Sequence, residues 1–142
     1  MEPTMPYSWD FLKQFHFSNP PTSAFNRTEE VERSYMLHGA KIKKEGGVEP
    51  YLKKKYLTNE VKYNMTQNNF PYDMEEGIVH YVIWFKLESF SDFNNPFEVS
   101  KIIQQFKEQN SLDVQDTVFF QNIERLRSVP GIPHIHVFVK LA

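Results

Sequence analysis

The stretch "HIHVFVKL", residues 134–141, decides the fold. Successive side chains of a strand point to opposite faces, so His134, His136, Phe138 and Lys140 share one face and Ile135, Val137, Val139 and Leu141 the other. The second face is wholly aliphatic and belongs against a core. The first carries two imidazoles about 6–7 Å apart at their Cα atoms, as two residues of strand rise require.

Working back from this strand, "DTVFFQN" (116–122) and "GIVHYVIWFKL" (77–87) are rich in β-branched and aromatic residues and read as two further strands, the latter opened by Gly77. Between them lies "NPFEVSKIIQQFKEQN". Asn95 suits the N-cap, Pro96 the first helical position and Glu98 the third, and Val99, Ile102, Ile103 and Phe106 then form one apolar stripe. The order is strand, helix, strand, loop, strand.

The region before residue 68 is helical and polar. Trp9, Leu12 and Phe15 recur at helical spacing before Pro20 and Pro21, which forbid continuation. A helix is predicted over about 28–44: Asn26 and Glu29 have the form of a capping pair, Val31, Tyr35, His38 and Ile42 make one stripe, and Gly46 and Gly47 end the run. A third helix around "PYLKKKYL" places Tyr51, Leu52 and Tyr56 inward and exposes Lys53, Lys54 and Lys55, a run read as a solvated face rather than an anion patch. The lone His38 on an apolar stripe is read as packed. Residues 58–73 read as a loop, with "EVKYNMT" as an alternative edge strand.

The expected class is therefore α+β: one domain over 1–142, a helical N-terminal part (about 7–57) packed on a small, mainly antiparallel sheet (about 68–142). At 142 residues such a chain can bury a core without a staple. The absence of cysteine excludes disulfides, thiolate catalysis and cysteine zinc sites, and suits a reducing compartment. A net charge of -2 gives no basic excess to hold a nucleic-acid backbone. With neither a signal-peptide pattern nor an apolar run of about 20 residues, the expectation is a cytoplasmic protein without membrane contact.

Three readings compete for His134 and His136. In one they only pack and hydrogen-bond. In another they bind a metal together with His80 or one of Asp73, Glu75 and Glu76, although no HExxH-type pattern supports it. In the third, an imidazole attacks phosphorus or carries its proton. The upstream "FFQNIERLRSVPGIPHIH" favours the third over the metal, because Asn122, Arg125, Arg127 and Ser128 offer the amide, guanidinium and hydroxyl donors that a phosphate demands. Pairing of Arg125 and Arg127 with Glu124 or surface acids stays open. If the 80–86 strand lies beside 134–141, His80 joins the pair as a general acid or base. Tyr72 and Trp84 are candidates for stacking on a base or sugar, or for the core.

The segments "NNFPYDMEEGIVHYVIWFK" (68–86) and "FFQNIERLRSVPGIPHIHVFV" (119–139) resemble a mostly fungal family of uncharacterised proteins that includes the N-acetylglucosamine-induced protein. Its F-P-Y turn, G-I/V-x-H strand ending in W-x-K, F-x-N, R-S-V and final H-I-H-V correspond here to Phe70, Pro71, Tyr72, His80, Trp84, Lys86, Phe120, Asn122, Arg127, Ser128, Val129, His134 and His136. The element order also resembles the histidine-triad superfamily of nucleotide hydrolases and transferases. By that resemblance His136 would be the nucleophile, His134 its orienting partner, and Asn122 and Ser128 the phosphate contacts. Phe138 stands where the third histidine would be, and "VPGIP" lengthens the link from serine to histidine. The ligand expected on these grounds is a small phosphorylated metabolite, a nucleotide or sugar nucleotide, bound without metal or cofactor; a non-catalytic binding or interaction module is the alternative.

Overall fold

The structure, a computed structural model, describes residues 5–20, 25–58, 60–121 and 132–142. Its elements are α1 (Trp9–Lys13), α2 (Glu29–Lys44), α3 (Val48–Tyr56), β1 (Tyr63–Gln67), β2 (Ile78–Phe85), a short α4 (Phe90–Phe93) after a 3₁₀ turn, α5 (Pro96–Gln109), β3 (Val114–Phe120) and β4 (His134–Leu141). The four strands form one antiparallel sheet in the order β1-β2-β4-β3. The fold is thus α+β, with helices in the N-terminal half and an open sheet behind them.

β4 is a central strand. β2 and β3 flank it, pairing Val82 and Phe120 with His136 from opposite sides. Its aliphatic face packs on α5, whose Val99, Ile102 and Ile103 join Ile83, Phe85, Ile135, Val137 and Val139 in one buried cluster. Asn95 caps that helix as its sequence predicts, its Oδ1 accepting from the Glu98 amide at 2.9 Å with Pro96 following.

The other face is covered from the N-terminal half. Trp9, Leu12, Phe25 and Tyr72 pack on Phe120 and Phe138, and Leu52 and Leu57 of the α3 region pack around Ile132 beside Trp84. Direct hydrogen bonds tie this covering to the sheet: Phe17 donates to the Phe119 carbonyl at 2.7 Å, and Trp9 Nε1 to Asp116 Oδ2 at 3.1 Å. Residues 16–18 thereby occupy the outer edge of β3, which would otherwise expose unpaired backbone groups.

Several local expectations are corrected. The cap of α2 is Thr28, whose hydroxyl accepts from the Val31 amide, rather than Asn26; the carbonyl of Asn26 instead takes the Asp73 amide, binding the two segments together. The alternative for 58–73 prevails, since Tyr63–Gln67 pairs with β2 as an edge strand. The sheet part thus begins at 63, not 68. β3 starts two residues earlier than 116 and carries a register shift between Val114 and Asp116. α1 ends at Lys13, well before the prolines, and the helical turns over 87–93 carry no periodic signal long enough to read.

Candidate functional site

The antiparallel register sets the site. His80 on β2 lies opposite Phe138, and His136 on β4 opposite Val82, so the two histidines are diagonal neighbours on one face. His80 Nε2 and His136 Nδ1 are 2.9 Å apart. The adjacency of the two strands required to bring His80 to the pair is present. His134 lies edge-on to His136, with ring centroids 5.4 Å apart, and its Nδ1 sits 3.0 Å from the Ile132 carbonyl, which only a protonated Nδ1 can use.

All three imidazoles are buried, with His80 1% and His136 6% exposed. Burial drives the pKa of both far below the ordinary histidine value, because an imidazolium cannot be solvated there. The positive charge of Arg27 lowers both further, and His80 and His134 add to the effect on His136. Both rings are therefore neutral at pH 7.

The backbone also fixes which nitrogen holds the proton. The Tyr72 amide donates to His80 Nδ1 at 3.3 Å, so Nδ1 is the acceptor and Nε2 carries the hydrogen. That hydrogen points at His136 Nδ1, which leaves the proton of His136 on its Nε2. Asn68 lies beside the His80 ring. Its Oδ1 accepts from the Phe70 amide at 2.8 Å, and this turns its NH₂ toward His80 at 3.4 Å. An imidazolium at His80 would carry a second hydrogen on Nδ1, directed at the Tyr72 amide that donates to that nitrogen.

Arg27 is a residue that sequence reasoning missed. Its Nε donates to the Phe70 carbonyl at 2.7 Å, its guanidinium lies 4.2 Å from the Tyr35 ring centroid and 5.6 Å from that of Tyr72, and Nη1 pairs with Glu32 at 3.4 Å. Nothing in "FNRTEE" signals that this segment folds back over β2; the information lies in the docking of residues 25–28 against 70–73.

The proposed stacking residues are close by. Tyr72 stacks on Phe25 at 5.0 Å and tilts over His80 at 4.6 Å; Trp84 stacks on Tyr56 at 5.8 Å and tilts over His134 at 5.0 Å. The buried indole N–H of Trp84 has no hydrogen-bond partner among the described residues. Asn122, Arg125, Arg127 and Ser128, the phosphate-binding candidates, lie outside the described residues. Lys53, Lys54 and Lys55 are exposed on α3, far along the chain from the imidazoles, and Lys55 donates to the Tyr51 hydroxyl at 3.2 Å. Among the described residues no group of three or more histidine, aspartate or glutamate side chains is arranged to hold a metal ion. His80 and His136 turn ring nitrogens toward each other rather than toward a shared point.

A small α+β protein with a neutral imidazole pair buried on one face of an antiparallel sheet is the class that this geometry defines. The chain belongs to the DUF3605 family, described as a protein of unknown function, whose model matches residues 8–140. Among solved structures, the crystal structure of HTC1 is similar at 20% sequence identity and a TM-score of 0.57, over 96% of this chain and 86% of that one, a likeness of fold alone. No curated protein matches. No helix among the described residues is long and apolar enough to cross a membrane.

Proposed function

We propose that the protein binds a small phosphorylated metabolite, a nucleotide or sugar nucleotide, beside the His80–His136 pair. The observation that carries this reading is the 2.9 Å contact between two buried imidazoles kept neutral close to the Arg27 charge. A neutral imidazole presents one N–H donor and one acceptor nitrogen, and its uncharged state persists at physiological pH. The resemblance of "NIERLRSVPGIPHIH" to a phosphate-holding loop supplies the anion class.

Binding without turnover is the form of this reading that the tautomers favour. Nucleophilic attack by His136 needs a lone pair on Nε2, so its proton would have to sit on Nδ1 and be donated to His80 Nε2. The proton of His80 would then occupy Nδ1, facing the Tyr72 amide that donates to it at 3.3 Å. Hydrolysis or transfer through His136, the reading that the H-φ-H resemblance favours, therefore requires ligand binding to displace that amide.

The test combines a thermal-shift screen of nucleotides and phosphosugars with chromatographic detection of product. Saturable stabilisation without product is expected; at a ligand concentration about 100 times Kd it amounts to about 2.7 kcal/mol. Product that vanishes in a folded His136→Ala variant would replace binding with transfer. Failure of every phosphorylated compound to stabilise the protein would sink the proposal. Long-range ¹H–¹⁵N spectra of the free protein read the tautomers directly, and a protonated Nδ1 on His136 would remove the argument against attack.

A further inference from the structure

A hollow lies at the β3 edge, lined in part by Phe120. Its volume is about 150 Å³, and it is walled by Phe119, Phe120 and Ile135 at the end of the β3–β4 pair, by Phe17 and Ser18 of the edge-covering segment, and by Asn94 before α5. Asn19 and Gln121 complete its described lining. Gln121 is only 8% exposed, yet its buried Nε2 has no hydrogen-bond partner among the described residues. A buried amide donor left unpaired is destabilising, and a bound acceptor would offset that cost.

We propose that this hollow is a binding subsite for a small neutral molecule bearing a carbonyl or hydroxyl oxygen that accepts from Gln121 Nε2. Size sets the upper limit, because a cavity of ~150 Å³ accommodates about one six-membered ring. The lining sets the chemistry. Phe119, Phe120 and Ile135 supply apolar lining, while Ser18, Asn19, Asn94 and Gln121 supply neutral donors and acceptors, with no charged side chain among the described lining residues. A phosphate or carboxylate would lose hydration there without gaining a counter-charge. The edge-covering segment is held in place to form the wall: Phe17 donates to the Phe119 carbonyl at 2.7 Å, and the Gln121 amide donates to the Ser18 carbonyl at 3.2 Å.

The site is separate from the imidazole pair and does not depend on the role proposed for it. Phe120 lines the hollow and also lies near the pair, its ring centroid 5.8 Å from that of His136. The subsite thus adds a neutral compartment of different selectivity from an anion site.

Chemical-shift mapping of the full chain tests this, using 2-piperidone and inositol as neutral ring-sized probes and inorganic phosphate as the charged comparison. Saturable movement of the Gln121 side-chain amide resonance with at least one neutral probe, and none with phosphate, is expected. Gln121→Leu keeps the volume and removes the donor, so it should weaken that probe by about tenfold or more while leaving the protein folded. Phe17→Ala, at a ring already 48% exposed, should weaken it without unfolding the core. No movement of the Gln121 amide with either neutral probe, stronger movement with phosphate, or unchanged affinity in folded Gln121→Leu would each overturn the proposal.

Discussion

The two faces of β4 are built from the same eight residues and solve different problems. On the α5 side, Ile135, Val137 and Val139 meet Val99, Ile102 and Ile103, and nothing polar needs a partner. On the N-terminal side, His134, His136 and Phe138 are buried just as deeply, but the imidazoles must be hydrogen-bonded and uncharged to remain there. One face is held by non-directional burial, the other by burial plus a tautomer-specific chain running from the Tyr72 amide through His80 to His136. Damage to the first should scale with volume removed; damage to the second should depend on which partner is left behind.

The largest effect is expected on the aliphatic side. Phe85→Ala empties a fully buried position in the α5 cluster and should cost about 3–5 kcal/mol in urea unfolding, with the loss insensitive to pH between 5 and 8. A loss below about 1 kcal/mol would mean that this face is not the main core. On the histidine face, His80→Phe retains bulk but strands His136 Nδ1 without its donor, a cost of about 1–3 kcal/mol. Replacing both rings, His80→Phe with His136→Phe, should cost less than the sum of the two single changes, since neither ring is then left facing an unpaired nitrogen of the other, while the loss of the acceptor for the Tyr72 amide is common to His80→Phe and the double change. Strict additivity of the two would show that the 2.9 Å contact carries no coupling.

Acid provides the next contrast. Because both folded pKa values lie below the unfolded value near 6.5, the unfolded chain binds more protons as pH falls. The stability that these histidines contribute is therefore complete above about pH 6.5 and is lost below it, toward their depressed folded values. The slope approaches about 1.4 kcal/mol per pH unit for each ring. Equilibrium unfolding at pH 6.5, 6.0 and 5.5 measures this, and the doubly phenylalanine-substituted protein should lose most of the slope. A slope retained in that variant would assign the acid sensitivity to other groups.

The contrast between faces also explains what could be read in advance. Alternation in "HIHVFVKL" and the cap-plus-stripe pattern of 95–106 are local properties, so β4, α5 and the aliphatic core were legible residue by residue. Shared facing of His134 and His136 follows from the same alternation. What was not legible is everything that depends on non-local docking: that β1 adds to β2 through 63–67, that residues 16–18 cover the edge of β3, and that Arg27 returns over Tyr72 beside His80. The cap of α2 illustrates the difference. Asn26 and Thr28 are both good capping residues, and only the tertiary bond from the Asp73 amide to the Asn26 carbonyl decides between them.

Asn95 yields the smallest and most local prediction. Its side chain accepts from the Glu98 amide and so satisfies one of the donors left open at the start of α5, the helix that covers the aliphatic face. Asn95→Ala should cost about 1 kcal/mol, and Asn95→Asp should restore most of it, because a carboxylate accepts the same bond and favours the positive end of the helix dipole. Neither change should alter the tautomers of His80 and His136, since the sheet lies between α5 and those rings. Movement of the imidazole ¹⁵N resonances in Asn95→Ala would show instead that the two faces of β4 are mechanically linked, and that the division drawn between them is too sharp.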